Sequence, residues 1–342
     1  MEPITKFIDN ITKYSTISII GLAKNVSKTT TLNHLIKNLK EYKLGLTSIG
    51  RDGEEYDVIT NLPKPRIYVE EGTYFATAQQ SLENSDIKFE VIKNTGISTP
   101  MGKVLILRAQ SSGLIELAGP SISTQLPPIC KELKSLGCEI ILIDGAFDRR
   151  TYATPLISEA TIISTGASVS EDMKKVVDLT IFTLELLTLQ NETNHEILGL
   201  AKKIFEDNNV GFINKDNTVK KLELPTALDA AEEIRENLDE NSKYVLIKGA
   251  LTNKLLGDLM RITNKYKNLT ILVEDGTKLF LSKNIFNKFH KKGGFIKVLN
   301  PIKVIAITIN PTSPDGLNFN KEKFLKLLEE KVKVPVYDLG PS

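Results

Sequence analysis

Between Thr16 and Tyr42 the chain passes from a short β-branched run, Thr16-Ile-Ser-Ile-Ile20, through a stretch rich in small and polar residues into a segment of helical period. There Leu32, Leu35, Ile36 and Leu39 recur at i, i+3, i+4 and i+7, which lines one face of a helix over about 29–42. Short apolar runs alternating with longer helical segments read as a βαβ chain, in which crossover helices bring successive strands into a parallel sheet. The same alternation continues. A second strand is expected at 44–49, a third at 139–144 and a fourth at 161–164, with helices near 123–136 and 170–189. Ser111-Ser112-Gly113 marks the turn of an expected hairpin over 103–117.

After Gln190 the texture changes, as Asn and Lys become frequent and a fresh set of strands and helices begins. Strands are expected at 244–247, 269–273, 304–309 and 334–337, with helices near 227–238, 254–266 and 321–332. The expected fold class is therefore α/β: a mostly parallel sheet with flanking helices, resembling a P-loop NTPase, followed by a second, smaller α/β domain. The expected boundary lies near 191–194, which divides the chain into a nucleotide-binding domain at 1–190 and a C-terminal α/β domain at 191–342. The length of 342 residues accommodates two such domains.

The loop at Gly21-Leu-Ala-Lys-Asn-Val-Ser-Lys28-Thr29-Thr30 has the context of a phosphate-binding loop. Successive backbone N–H groups and a helix N-terminus are there turned toward an anion. Lys28 would reach the β- and γ-phosphates of ATP, and the Thr29 hydroxyl would coordinate Mg²⁺. Gly21, Lys24, Asn25, Val26, Ser27, Lys28, Thr29 and Thr30 form the expected cradle. The standard spacing G-x-x-x-x-G-K-[ST] would put glycine at Leu22 and Ser27; instead glycine stands one residue early and serine precedes the lysine. Serine at a position requiring φ > 0 costs more than glycine, which bears on rate more than on binding.

Two aspartates sit where Mg²⁺ chemistry needs them. Asp144 closes an apolar strand as a Walker-B carboxylate does, and Asp52 follows the second strand at the same carboxyl edge. Lys28, Asp52 and Asp144 are thus the expected catalytic set, and Thr29, Asp52 and Asp144 the expected metal ligands. Glu54 and Glu55 stand as alternatives to Asp52. Lys24 either adds charge to the phosphates, reaches a neighbouring subunit of a homodimer, or is a solvated lysine. Arg149 and Arg150 read as a solvated pair or as phosphate ligands. Asn310-Pro-Thr-Ser-Pro314 either touches a base or partner, or ends its strand.

Several function classes fall away on composition. Forty-four basic against 42 acidic residues leave a net charge of +2, which supplies no polyanion-binding field, so nucleic acid is not an expected partner. Cys130 and Cys138 form no C-x-x-C pair; they read as buried apolar residues in a reducing compartment. No run approaches the ~18 apolar residues of a membrane span, and the charged start carries no secretory signal, so a cytoplasmic protein is expected. His34, His195 and His290 are scattered, with His34 expected on the exposed side of its helix.

The early glycine, five residues and then x-Lys-Thr resemble the loop of dethiobiotin synthetase and the related ParA-like class. Four segments together, 19–29, 47–54, 141–149 and 309–314, resemble the smaller subunit of the lysine 5,6-aminomutase reactivase of lysine-fermenting anaerobes. That resemblance implies a MutS-like ATPase partner and a client aminomutase that uses adenosylcobalamin and pyridoxal phosphate. It implies that ATP binding or hydrolysis drives release of damaged cobalamin. A second reading is a dethiobiotin-synthetase-like ATP-dependent ligase or kinase acting on a small molecule.

Overall fold

The computed structural model describes residues 2–50, 66–120, 122–145 and 154–339. The chain divides into two compact units: Met1–Ile181 with Lys303–Ser342, and Phe182–Ile302. Among the described residues the main sheet of the first unit has nine strands, in chain order β1 Thr16–Gly21, β2 Leu44–Ser48, β3 Tyr74–Ala78, β4 Phe89–Thr99, β5 Gly102–Ala109, β6 Ile140–Asp144, β7 Ala160–Gly166, β8 Val304–Asn310 and β9 Val336–Asp338. They make one sheet in the order β9-β8-β7-β1-β6-β2-β3-β5-β4. Every pairing from β9 across to β3 is parallel, and the last two, β3 with β5 and β5 with β4, are antiparallel.

Strands covered on both faces have no polar face to show, which explains the nearly unbroken apolar runs of β1 and β6. Along β6 the period-two alternation is visible in the packing. Ile140 and Leu142 join a core with Ile17, Ile19, Leu32 and Leu35, while Ile141 and Ile143 join another with Ile129 and Leu133. The Lys28–Asn38 helix thus covers one face, and the Leu126–Ser135 helix the other.

Two expectations need correction. The expected hairpin over 103–117 is not formed; the antiparallel hairpin is β4 with β5, which register Thr99 opposite Gly102. Ser111 and Ser112 serve a different purpose. Their hydroxyls accept the backbone N–H groups of Lys88 and Glu71, and the chain then enters Gly113–Ile115, antiparallel to Ile67–Val69. A small-residue turn signal shows where the chain bends without saying which segment pairs across the bend.

The second correction concerns the C-terminal third. Residues 191–342 do not form one contiguous unit, because β8 and β9 return to the first sheet beyond β7. All seven residues of β7 are buried, and β8 supplies its second neighbour, with Ile307 opposite Ile163. An apolar strand flanked on one side only by β1 would leave a full row of N–H and C=O groups unpaired. The division between units accordingly falls within the Met173–Leu187 helix rather than at 191–194.

The second unit carries a five-stranded sheet in the order Val219–Leu222, Val210–Asn214, Ser242–Ile247, Thr270–Val273, Phe295–Val298. Its first two pairings are antiparallel and its last two parallel. Asn194, Thr252 and Ser282 cap the N-termini of the helices that follow them, each accepting main-chain N–H bonds. Tyr266 and Phe289 are completely buried in its core.

Candidate phosphate-binding site

β1 lies between β6 and β7 in the sheet, so the loop that leaves its carboxyl end at Gly21 is flanked by the carboxyl ends of both neighbours. Val26 is buried and anchors the loop, while Lys24 and Asn25 are exposed. Leu22 N–H donates to the Ser164 carbonyl of β7 at 3.0 Å. Within the loop two non-glycine residues adopt left-handed backbone, Asn25 at φ 58° and Ser27 at φ 63°. Side chains other than glycine meet a steric cost there, of order 1–2 kcal/mol for most residues and less for asparagine. The serine that departs from the standard spacing therefore does occupy a glycine-type conformation.

Ser27 is also the N-cap of the Lys28–Asn38 helix, yet its side chain makes no cap bond, and the first turn holds no acidic residue. Its carbonyl instead accepts from Thr31 N–H at 2.9 Å and the Thr31 hydroxyl at 3.1 Å. The opening N–H groups of a helix lack intrahelical acceptors and carry the positive end of the helix dipole. Left uncapped by side chains, they suit an anion.

Lys28 folds back across the loop, its Nζ 3.5 Å from the Ala23 carbonyl. Gly21 makes room for it: a Cβ there would stand 2.9 Å from both Cδ and Nζ of Lys28 and 2.8 Å from Val26 Cγ2. Asp144 ends β6 in register with Ile19 of β1 and Ser48 of β2. Its carbonyl accepts Ile49 N–H at 3.2 Å, and Gly145 N–H bonds the Ile19 carbonyl at 2.9 Å. The Asp144 Oδ1 is buried with no hydrogen-bond partner among the described residues. Burial pushes the Asp144 carboxyl up to about 6, opposed by the Lys28 charge; burial likewise lowers the Lys28 ammonium, opposed by Asp144. Each charge is costly where it sits and is only partly compensated by the other.

Of the expected residues, the structure brings Gly21 to Thr30 and Asp144 together at one edge of the sheet, with Thr29 and Thr30 half-buried at the helix start. Asp52, Glu54, Glu55, Arg149 and Arg150 lie outside the described residues. Among the described residues no group of three or more His, Cys, Asp or Glu side chains gathers as a metal site. His34 is half-buried rather than exposed, its ring 6.4 Å from that of Phe7; burial, then the charge of Lys37, lowers its pKa. Both cysteines are free and buried, and burial raises each thiol to about 11 against the nearby charges of Lys134 and Lys43.

Sequence reasoning missed the hydroxyl residues that surround the loop. Thr31 Oγ1 lies 2.9 Å from Thr308 Oγ1, which lies 2.8 Å from Ser164 Oγ. Ser168 Oγ donates to the Asn25 carbonyl at 3.2 Å, and Asn310 Nδ2 donates to the same oxygen at 3.4 Å. The available signal was polar residues closing apolar strands at 164–168 and 308–310, but nothing local pairs them with residues 25–31. No protein-family model matches the chain, and no curated protein matches it. Among the described residues no helix is long and apolar enough to cross a membrane.

Proposed function

We propose that this chain binds ATP with Mg²⁺ at the loop 21–30, in a P-loop NTPase-like fold. The observation that carries the reading is the Asp144 carboxylate at the end of β6, its Oδ1 buried and unpartnered, near enough to feel the charge of Lys28, which folds into the space left by Gly21. A half-buried, incompletely compensated pair of charges is unfavourable in the free protein, and groups held that way cluster at functional sites. A nucleotide phosphate would complement Lys28 and the uncapped helix N-terminus. Asp144, with the Thr29 hydroxyl, would hold the cation directly or through water. The cation, when bound, neutralises charge that develops on the phosphate oxygens.

Within that reading the nucleotide serves a partner-dependent task, as the resemblance to a cobalamin-dependent aminomutase reactivase suggests. The chain would be the nucleotide-binding subunit acting with a MutS-like ATPase on the aminomutase. Two buried free thiols suit a reducing compartment such as the cytoplasm.

Calorimetric titration with ATP, with and without Mg²⁺, tests the binding. Lys28→Ala is expected to lower affinity at least tenfold in both series, since a charge-assisted contact contributes about 1.5–3 kcal/mol. Asp144→Asn is expected to weaken binding only when Mg²⁺ is present. Unchanged affinity in Lys28→Ala would sink the assignment. The larger role is checked by turnover, which should be slow alone and faster with the partner ATPase and aminomutase present; no acceleration overturns it.

A further inference from the structure

The phosphate loop is held from outside its own strand and helix. Its Asn25 carbonyl, at the crest of the left-handed stretch, accepts from Ser168 Oγ at 3.2 Å and from Asn310 Nδ2 at 3.4 Å. Those side chains come from segments distant in sequence. Ser168 follows the end of β7, and Asn310 is the last residue of β8. The two strand ends are fixed against each other: Asn310 registers opposite Gly166, and a Cβ on Gly166 would stand 2.3 Å from the Asn310 carbonyl. Glycine at 166 is what allows this approach. The Asn310 side chain is oriented in turn, since its Oδ1 accepts Thr312 N–H at 3.1 Å, which leaves Nδ2 free to face the loop. Two residues earlier on β8, Thr308 bridges Ser164 of β7 and Thr31 of the loop helix.

We infer that Asn310 and Ser168 are positioning residues for the phosphate loop: together they hold the Asn25 carbonyl, and with it the left-handed backbone that turns the loop N–H groups toward an anion. The argument is energetic. Asn25 and Ser27 both adopt conformations that non-glycine residues leave readily, and a loop containing them persists only where the surroundings over-determine it. Two donors on one carbonyl oxygen, both from the sheet edge, supply that constraint. Its consequence for ligand affinity rests on the nucleotide reading above; the constraint on the loop does not.

The test uses the full chain without nucleotide and reads backbone hydrogen exchange in residues 22–27. The double variant Ser168→Ala/Asn310→Ala is expected to exchange there roughly tenfold faster, the equivalent of two hydrogen bonds of modest net strength. Exchange in β1 and β7 and the melting temperature should stay as in the parent. Asn310→Asp separates the two uses of the side chain, because it keeps the acceptor for Thr312 N–H and loses the donor to Asn25. It should behave as Asn310→Ala does. Parent-like exchange in Asn310→Asp overturns the inference, as does acceleration spread through β7 and β8 with a lowered melting temperature, which marks a structural role. A second readout is ATP affinity, expected to fall about tenfold in the double variant. If the parent protein binds no ATP while the loop still loosens in the variants, the nucleotide reading fails and the positioning role stands.

Discussion

At the scale of the residue, Ser27 shows how one side chain can work against its backbone. Its φ of 63° and ψ of 34° lie in the left-handed region, and its hydroxyl makes no cap bond that would offset the cost. Glycine at this position relieves the strain but adds freedom to the unfolded chain, so the net gain is expected to be about 1 kcal/mol or less. Ser27→Gly should therefore raise the denaturation midpoint slightly, whereas Ser27→Val, β-branched at positive φ, should lower it clearly. Equal midpoints for the glycine and valine variants would contradict the left-handed assignment. Gly21 is the complementary case. There the absence of a Cβ leaves the space into which Lys28 folds.

At the scale of the element, the connection between the Met173–Leu187 and His195–Asp207 helices is organised by one buried carboxylate. Glu192 Oε1 accepts the N–H groups of Thr193 and Asn194 at 2.9 and 3.0 Å, and Oε2 accepts Tyr244 Oη–H at 2.7 Å and Lys297 Nζ at 3.1 Å. Tyr244 and Lys297 belong to two different strands of the second sheet, so a short linker is bonded to both. Burial alone would raise the Glu192 pKa, but the four donors outweigh it and hold the carboxyl down at about 2. A carboxylate depressed in the folded state contributes stability that is fully present above its unfolded value of 4.5. That contribution disappears as pH falls from there through about 2. Glu192→Gln should thus be less stable than the parent at pH 7, with the difference narrowing as pH drops through that window. Glu192→Ala should lose roughly 3 kcal/mol or more at pH 7, because it strands buried donors. Denaturant titrations of the three proteins at several pH values read this directly, and a pH-independent difference between parent and Glu192→Gln would refute it.

At the scale of the whole molecule, the first sheet closes only when the chain comes back to it after more than a hundred residues spent in the second unit. β8 buries Ala306, Ile307 and Ile309 beside β7. A chain cut after residue 190 keeps the loop 21–30 but loses β8, β9, Asn310 and the Thr308 bridge. It is expected to aggregate, or to lose its cooperative melt, because the wholly buried β7 then presents an open edge. Solubility and thermal unfolding of the 1–190 chain against the full chain check this; a 1–190 chain that melts as the parent does would mean β8 and β9 are accessory.

The local pattern of the sequence determined β1, the loop after it and its amphipathic helix, and it set Lys28 at the start of that helix and Asp144 at the end of an apolar strand. Those features arise from periodicity and from residues within a few positions of one another, where chain connectivity leaves little choice. Tertiary structure alone decided the partners. The pairing of β8 with β7 joins residues more than a hundred apart, the true hairpin is β4 with β5, and the side chains that meet Asn25 and Thr31 come from the far ends of β7 and β8. The physical reason is that strand pairing uses backbone groups common to every residue, so an apolar strand declares that it must be paired and covered without declaring by which segment.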